Sequence, residues 1–129
     1  MSANPTHRVV VADDDSDIRA LVAIAVKKAG MEVVAAAEDG DRAWDVVQET
    51  RPDLVILDVA MPGMTGIEVC RLIRADASLA DVRVLLLSAA VDESSREAGI
   101  EAGANDYLGK PFSPRALVSW LATEYQARP

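Results

Sequence analysis

One cysteine, one histidine and five aromatic residues (two Trp, two Tyr, one Phe) are all that this 129-residue chain carries of those types. A lone cysteine, Cys70, cannot close a disulfide within the chain and fits a reducing compartment. Its place in an apolar helical pattern reads as a small core residue rather than a reactive thiol. The single histidine, His7, lies before the first strand, so it is no candidate metal ligand. With so few aromatics, aliphatic side chains must fill the core. No apolar run approaches the ~20 residues of a membrane span, and Met1 to Arg8 lacks the apolar stretch of a signal peptide. The reading is a cytoplasmic protein with no membrane partner. Basic residues are also short: 13 against 21 acidic, a net charge of −8. That balance disfavours non-specific contact with nucleic acid or acidic lipid, so no direct nucleic acid partner is expected.

What is present is the composition of an ordinary globular domain, 50% apolar and 26% charged, in a chain long enough to bury a core. There is no repeat, low-complexity tract or linker. The expectation is one domain over residues 1–129, with a core at about 7–126 and nothing attached.

Short β-branched runs alternate with longer amphipathic stretches. Arg8–Ala12 reads as a buried strand, followed by a helix over about Ser16–Ala29. Its apolar residues Ile18, Leu21, Val22, Ala25 and Ala29 share one face at a 3.6-residue period, and Gly30 stops it. Glu32–Ala36 is a second strand and Asp41–Thr50 a second helix, closed by Pro52. Asp53–Leu57 is a third strand, apolar on both faces as in a covered parallel sheet. A turn at Met61–Gly66 leads to a third helix with Ile67, Val69, Cys70 and Ile73 apolar. Val82–Leu87, a weak helix over Asp92–Ala102, and Asn105–Leu108 follow. Ser113 then caps a last helix with Pro114 at its first position. Along that helix Leu117, Leu121 and Tyr125 make the core stripe. Five βα units predict a doubly wound α/β fold with a five-stranded parallel sheet and right-handed crossovers.

Ligands in such sheets bind outside the carboxyl ends of the strands. The first strand ends at Asp13, Asp14 and Asp15, the third at Asp58 and the fourth at Ser88; the fifth is followed by Lys110. Adjacent strands lie ~5 Å apart, so these groups can converge. Two carboxylates ~4 Å apart repel by roughly 4 kcal/mol even at an effective dielectric near 20. The cluster therefore wants a cation, and oxygen-only ligands select a hard one, Mg²⁺, with Mn²⁺ as its substitute. A carboxylate, a metal, a Lys and a Ser hydroxyl are the parts that phosphoryl transfer needs, since that chemistry is mostly positioning and charge neutralisation. Singly, each residue is explained by structure: an Asp at a strand end is usually a turn or cap residue, and Asp15 or Asp17 is one here. Joint placement at four strand ends is what points to chemistry.

Four stretches, VVVADDDSDIR, LVILDVAMPGMTG, LLLSA and AGANDYLGKPF, resemble in order the receiver domains of two-component response regulators, over essentially the whole chain. The resemblance implies a flavodoxin-like fold of strand order 2-1-3-4-5. It makes Asp58 the phosphoacceptor, and Asp14 and Asp58 direct Mg²⁺ ligands. Asp13 would act largely through water, and the backbone carbonyl of Ala60 would be a further ligand. Ser88 and Tyr107 become a switch pair, the ring turning inward behind the hydroxyl. Lys110 binds a phosphoryl oxygen, and the Lys110–Pro111 bond is cis. The implied activity is that of a phosphoacceptor with self-catalysed phosphotransfer and autodephosphorylation, not of an enzyme acting on other substrates. A sensor histidine kinase or phosphotransfer protein would be the donor. Partner binding would change on the face of helix four, strand five and helix five, where a homodimer is a candidate assembly. Ala60 and Ala90 stand where the family often carries polar groups. The fourth helix, polar and interrupted by Gly99, is expected to be marginal.

Rival readings are fewer. A degenerate receiver would serve as a docking module only, but every core site residue is present. A haloacid dehalogenase-like phosphatase would use the Asp13 and Asp15 pair, though Asp58-Val59-Ala60 does not match its motif. A calcium loop from Asp13 would need Gly and Glu where Ile18 and Ile24 stand. Trp120 admits two readings: a cover over the edge of the fifth strand, or part of an apolar partner surface.

Overall fold

In the computed structural model the described residues are 7–89 and 92–125, with backbone alone for 124 and 125. The expectations for Ala90 and for the Tyr125 side chain lie outside them. Five strands, β1 (Arg8–Ala12), β2 (Glu32–Ala37), β3 (Leu54–Asp58), β4 (Arg83–Ser88) and β5 (Asp106–Gly109), alternate with five α-helices. These are α1 (Ser16–Lys28), α2 (Gly40–Thr50), α3 (Gly66–Ala75), α4 (Glu93–Glu101) and α5 (Pro114–Tyr125). All pairings are parallel, in the order β2-β1-β3-β4-β5. The sheet is the flavodoxin-like one.

Period-two alternation feeds two cores. Val10, Ala12, Val55, Leu57, Val84 and Leu86 point to the side covered by α2, α3 and α4, together with Cys70 and Tyr107. Val9, Val11, Leu54, Ile56, Leu85 and Leu87 point to the other side, where Val22, Val26, Leu117 and Leu121 meet them. Both sides of β3 are buried, so its run is apolar throughout until Asp58.

Differences from the sequence reading are local. In α1 the buried face is Val22, Ala25 and Val26, with Ala29 at the cap, while Leu21 is 41% exposed. The sheet and α5 take a face rotated from the predicted stripe, leaving Leu21 and Ile24 outside. Strand β3 starts at Leu54, one residue later than predicted, although the Asp53 amide already donates to Arg8 O and its exposed carboxylate accepts from the Arg8 amide. A 3₁₀ turn at Ala77–Leu79, unmarked by periodicity, is capped by Asp76 through the Ser78 amide. Asp15 caps α1, accepting from the amides of Asp17 and Ile18. Tyr107, whose ring was expected to turn inward on switching, is already only 4% exposed.

Candidate phosphoryl-transfer site

The carboxyl edge of the sheet carries the chemistry because three strands stop there on acidic or hydroxyl residues. Asp58 is the last residue of β3, and Asp13 directly follows β1. The Val59 amide donates to Leu87 O at 2.9 Å and the Lys110 amide to Ser88 O at 2.7 Å. These bonds extend the sheet's parallel pairing past the strand ends, so the side chains stay in register where regular structure has ended.

Asp13 is fully buried, Asp58 is 4% exposed and Ser88 6%, whereas Asp14 faces solvent. Carboxylate oxygens of Asp13, Asp14 and Asp58 lie within 4.8 Å of one another. The Lys110 ammonium reaches across from the loop after β5, 2.9 Å from Asp13 Oδ2 and 3.3 Å from Asp58 Oδ1. Asp13 Oδ1 accepts from the Asp15 amide at 2.9 Å, which aims the side chain inward. One ammonium among three carboxylates leaves the group short of positive charge. Burial, and then the neighbouring Asp13 charge, raise the Asp58 pKa above the ordinary carboxylate value, and Lys110 only partly offsets this. Burial also works against the charged Lys110, but its contacts with Asp13 and Asp58 outweigh that and hold its pKa above the usual lysine value.

A divalent cation fits these residues. Asp13 Oδ2 is buried and, although close to the ammonium, receives no aligned hydrogen bond. That ammonium is shared with Asp58, so the two buried carboxylates have only one positive charge between them from Lys110, and buried charge left without a full countercharge is costly. The donor set is oxygen only, with no histidine or cysteine among the clustered groups, which suits a hard ion such as Mg²⁺.

The Lys110–Pro111 peptide is cis. Ala60 is exposed beside the cluster, its amide 3.4 Å from Asp58 Oδ1. Asp15, needed by the dehalogenase-like reading, is exposed and engaged in capping α1, so its carboxylate belongs to the helix. The Tyr107 carbonyl accepts from Arg96 of α4 at 2.9 Å, and the Trp120 indole N–H donates to Asp106.

Two contributors escaped the sequence reading. Arg19 donates to the Asp13 carbonyl at 2.8 Å, pinning the acidic turn from within α1. Its signal, a basic residue on the first turn and a half of a helix, is too common to notice. Gly66 sits against Asp58: a Cβ on it would overlap the Asp58 carbonyl oxygen, and its amide donates to Val59 O at 2.9 Å.

Known proteins share both the pattern and the shape. The family model described as the response regulator receiver domain matches residues 9–122. The DNA-binding response regulator MtrA of Mycolicibacterium paratuberculosis is 42% identical over 113 residues, 88% of this chain and 48% of that protein. The phosphate regulon transcriptional regulatory protein PhoB of Pseudomonas aeruginosa is 39% identical over 113 residues, covering 88% of this chain and 49% of its own length. The chain thus spans about half the length of these curated relatives. The chemotaxis response regulator CheY4 of Vibrio cholerae superposes with a TM-score of 0.84 at 34% identity, covering 92% of this chain and 98% of that one. The expectation of no nucleic acid partner finds no support here, since MtrA is named as DNA-binding. No helix among the described residues is long and apolar enough to cross a membrane. By sequence, fold and the acidic group at the strand ends, the chain belongs to the response regulator receiver domain family, the phosphorylation-dependent signalling modules of two-component systems.

Proposed function

We propose that Asp58 accepts a phosphoryl group from a phosphohistidine on a sensor histidine kinase or phosphotransfer protein. The observation that carries this reading is the packing of Asp58 against Asp13 and Asp14 with the Lys110 ammonium 3.3 Å from its Oδ1. An Asp58 oxygen forms the new bond to phosphorus while the P–N bond to the donor imidazole breaks, leaving an acyl phosphate. Asp13, Asp14, Asp58 and the Ala60 carbonyl would hold Mg²⁺, which when bound neutralises phosphoryl oxygens. Lys110 supplies the protein's own cation to those oxygens, and the Ser88 hydroxyl donates a hydrogen bond to one of them. Both matter most in the transition state, where charge spreads over the transferring group. Attack of water on phosphorus later returns free Asp58.

Output would run through the face of α4, β5 and α5. Helix α4 buries only Gly99 and is tied to β5 by the Arg96 bond to the Tyr107 carbonyl. Elements with so little buried surface are the ones that switches draw on. Trp120 borders this face.

With Mg²⁺ and acetyl phosphate, intact-mass spectra should show one added phosphoryl group, removed by hydroxylamine. Asp58→Asn should take none; the same addition in that variant would overturn the assignment.

A further inference from the structure

We propose that the start of α2 is a positioning element for the phosphoacceptor loop (residues 59–65) and that Gly40 is its key residue. The inference rests on Asp58 being the phosphoacceptor, but concerns residues remote from it in sequence.

Gly40 is the first residue of α2, and nothing in the helix itself asks for glycine there. Asp39 already provides the cap, its carboxylate accepting from the Arg42 amide at 2.7 Å. The Gly40 backbone is not in the left-handed region, so any residue could adopt it. What demands glycine is the loop after β3. A Cβ on Gly40 would overlap the Met64 carbonyl oxygen and lie 2.5 Å from the Met64 carbonyl carbon and 2.8 Å from its Cβ. Backbone rests on backbone, with no flexible side chain to yield. The Gly40 amide also donates to Pro62 O at 3.1 Å. One residue on, Asp41 presses on the same loop: a Cβ on Gly63 would stand 2.8 Å from Asp41 Oδ2, and Gly63 has a φ of +73°. Residues 40 and 41 therefore touch positions 62, 63 and 64 in succession.

The far end of the loop is held by Gly66 against the Asp58 carbonyl. Ala60 lies just upstream, between Asp58 and the contacts at residues 62–64; its amide faces Asp58 and its carbonyl is the proposed fourth metal ligand. Any side chain at position 40 must push Met64 away, and a loop clamped at Gly66 passes that displacement toward Ala60. A shift on the order of 1 Å in a positioned group can cost up to about a hundred-fold in rate.

The test compares wild type, Gly40→Ala, Asp41→Ala and Val47→Ala. Val47 is fully buried in the same helix, about two turns beyond Gly40, and takes no part in the Gly40 and Asp41 contacts described above, so its variant controls for lost stability. Three quantities are read: Mg²⁺ affinity by titration calorimetry, the rate of acetyl phosphate-driven phosphorylation, and hydrogen exchange over residues 60–66. Gly40→Ala should weaken Mg²⁺ binding and slow phosphorylation by about ten-fold or more, with faster loop exchange, while Val47→Ala lowers the melting temperature and leaves all three near wild type. Asp41→Ala, an exposed change that keeps the fold, should quicken loop exchange and weaken Mg²⁺ binding in the same direction. Gly40→Ala matching wild type or Val47→Ala in all three readings would overturn the proposal. If Gly40→Ala does not fold, unchanged exchange and Mg²⁺ affinity in Asp41→Ala would do the same. Failure of the wild type to take a phosphoryl group would instead defeat the role of Asp58, and loop exchange would still judge that of α2.

Discussion

Gly99 lies directly under the ring of Tyr107: a Cβ added to the glycine would stand 2.8 Å from Tyr107 Cδ2 and 3.0 Å from Leu86 Cδ1. The only buried residue of α4 is thus the one that makes room for an aromatic ring on β5. A glycine that weakens its own helix is retained because the ring occupies the space a side chain would need.

Gly99→Ala follows from that contact. Helix propensity alone favours alanine by ~1 kcal/mol, whereas overpacking a filled site costs typically about 1–3 kcal/mol. The contact distances are short enough for overpacking to win. The expected outcome is a lower urea midpoint than wild type, with the Tyr107 ring resonances shifted in NMR spectra. An unchanged or higher midpoint would show that the ring yields freely.

Asp58→Asn is expected to be more stable than wild type at neutral pH without Mg²⁺. Burial, then Asp13, raise the folded-state pKa of Asp58 above its ordinary value. The folded protein therefore holds that proton to higher pH than the unfolded chain does. Its stabilising share is full below the ordinary carboxylate range and is lost as pH rises through the raised folded value. Above that value the buried charge is a liability that asparagine removes. The melting-temperature gain should be about 2–4 °C for each kcal/mol relieved. It should shrink in acid and also when Mg²⁺ is added to wild type. A variant no more stable than wild type at pH 7 would mean that Lys110 fully compensates the charge.

Trp120 is half-buried against the core containing Leu117 and Leu121, and its indole N–H donates to Asp106, which also lies 3.6 Å from Arg96. Of its two sequence readings, packing over the β5 edge has these contacts behind it. Trp120→Ala should lower stability by about 1–3 kcal/mol, less than full burial would imply. Trp120→Phe should lose less, since it keeps most of the packing but not the N–H. Thermal melts of both variants decide this. A full-length melting transition in Trp120→Ala, together with weaker self-association, would return the residue to the partner surface.

Sequence by itself determined the order of elements and the identity of the acidic cluster. Strand runs such as Val9–Ala12 and Leu54–Leu57 declare themselves because burial on both faces demands β-branched and aliphatic residues throughout. The polar residues ending those runs then have one place to be, the carboxyl edge, so Asp13, Asp58, Ser88 and Lys110 were legible before any coordinates. Strand order was legible only through the family resemblance, since hydrophobic pattern does not say which strands are neighbours. Tertiary structure alone decided which way α1 rolls, burying Val26 and exposing Leu21. It alone decided that Arg19 pins Asp13, that Gly40 rests on Met64 and that Gly99 carries Tyr107. Periodicity reports how a residue relates to its own helix or strand. These contacts join backbones and side chains remote in sequence, and a residue chosen for what lies opposite it leaves no mark in the pattern of its neighbours.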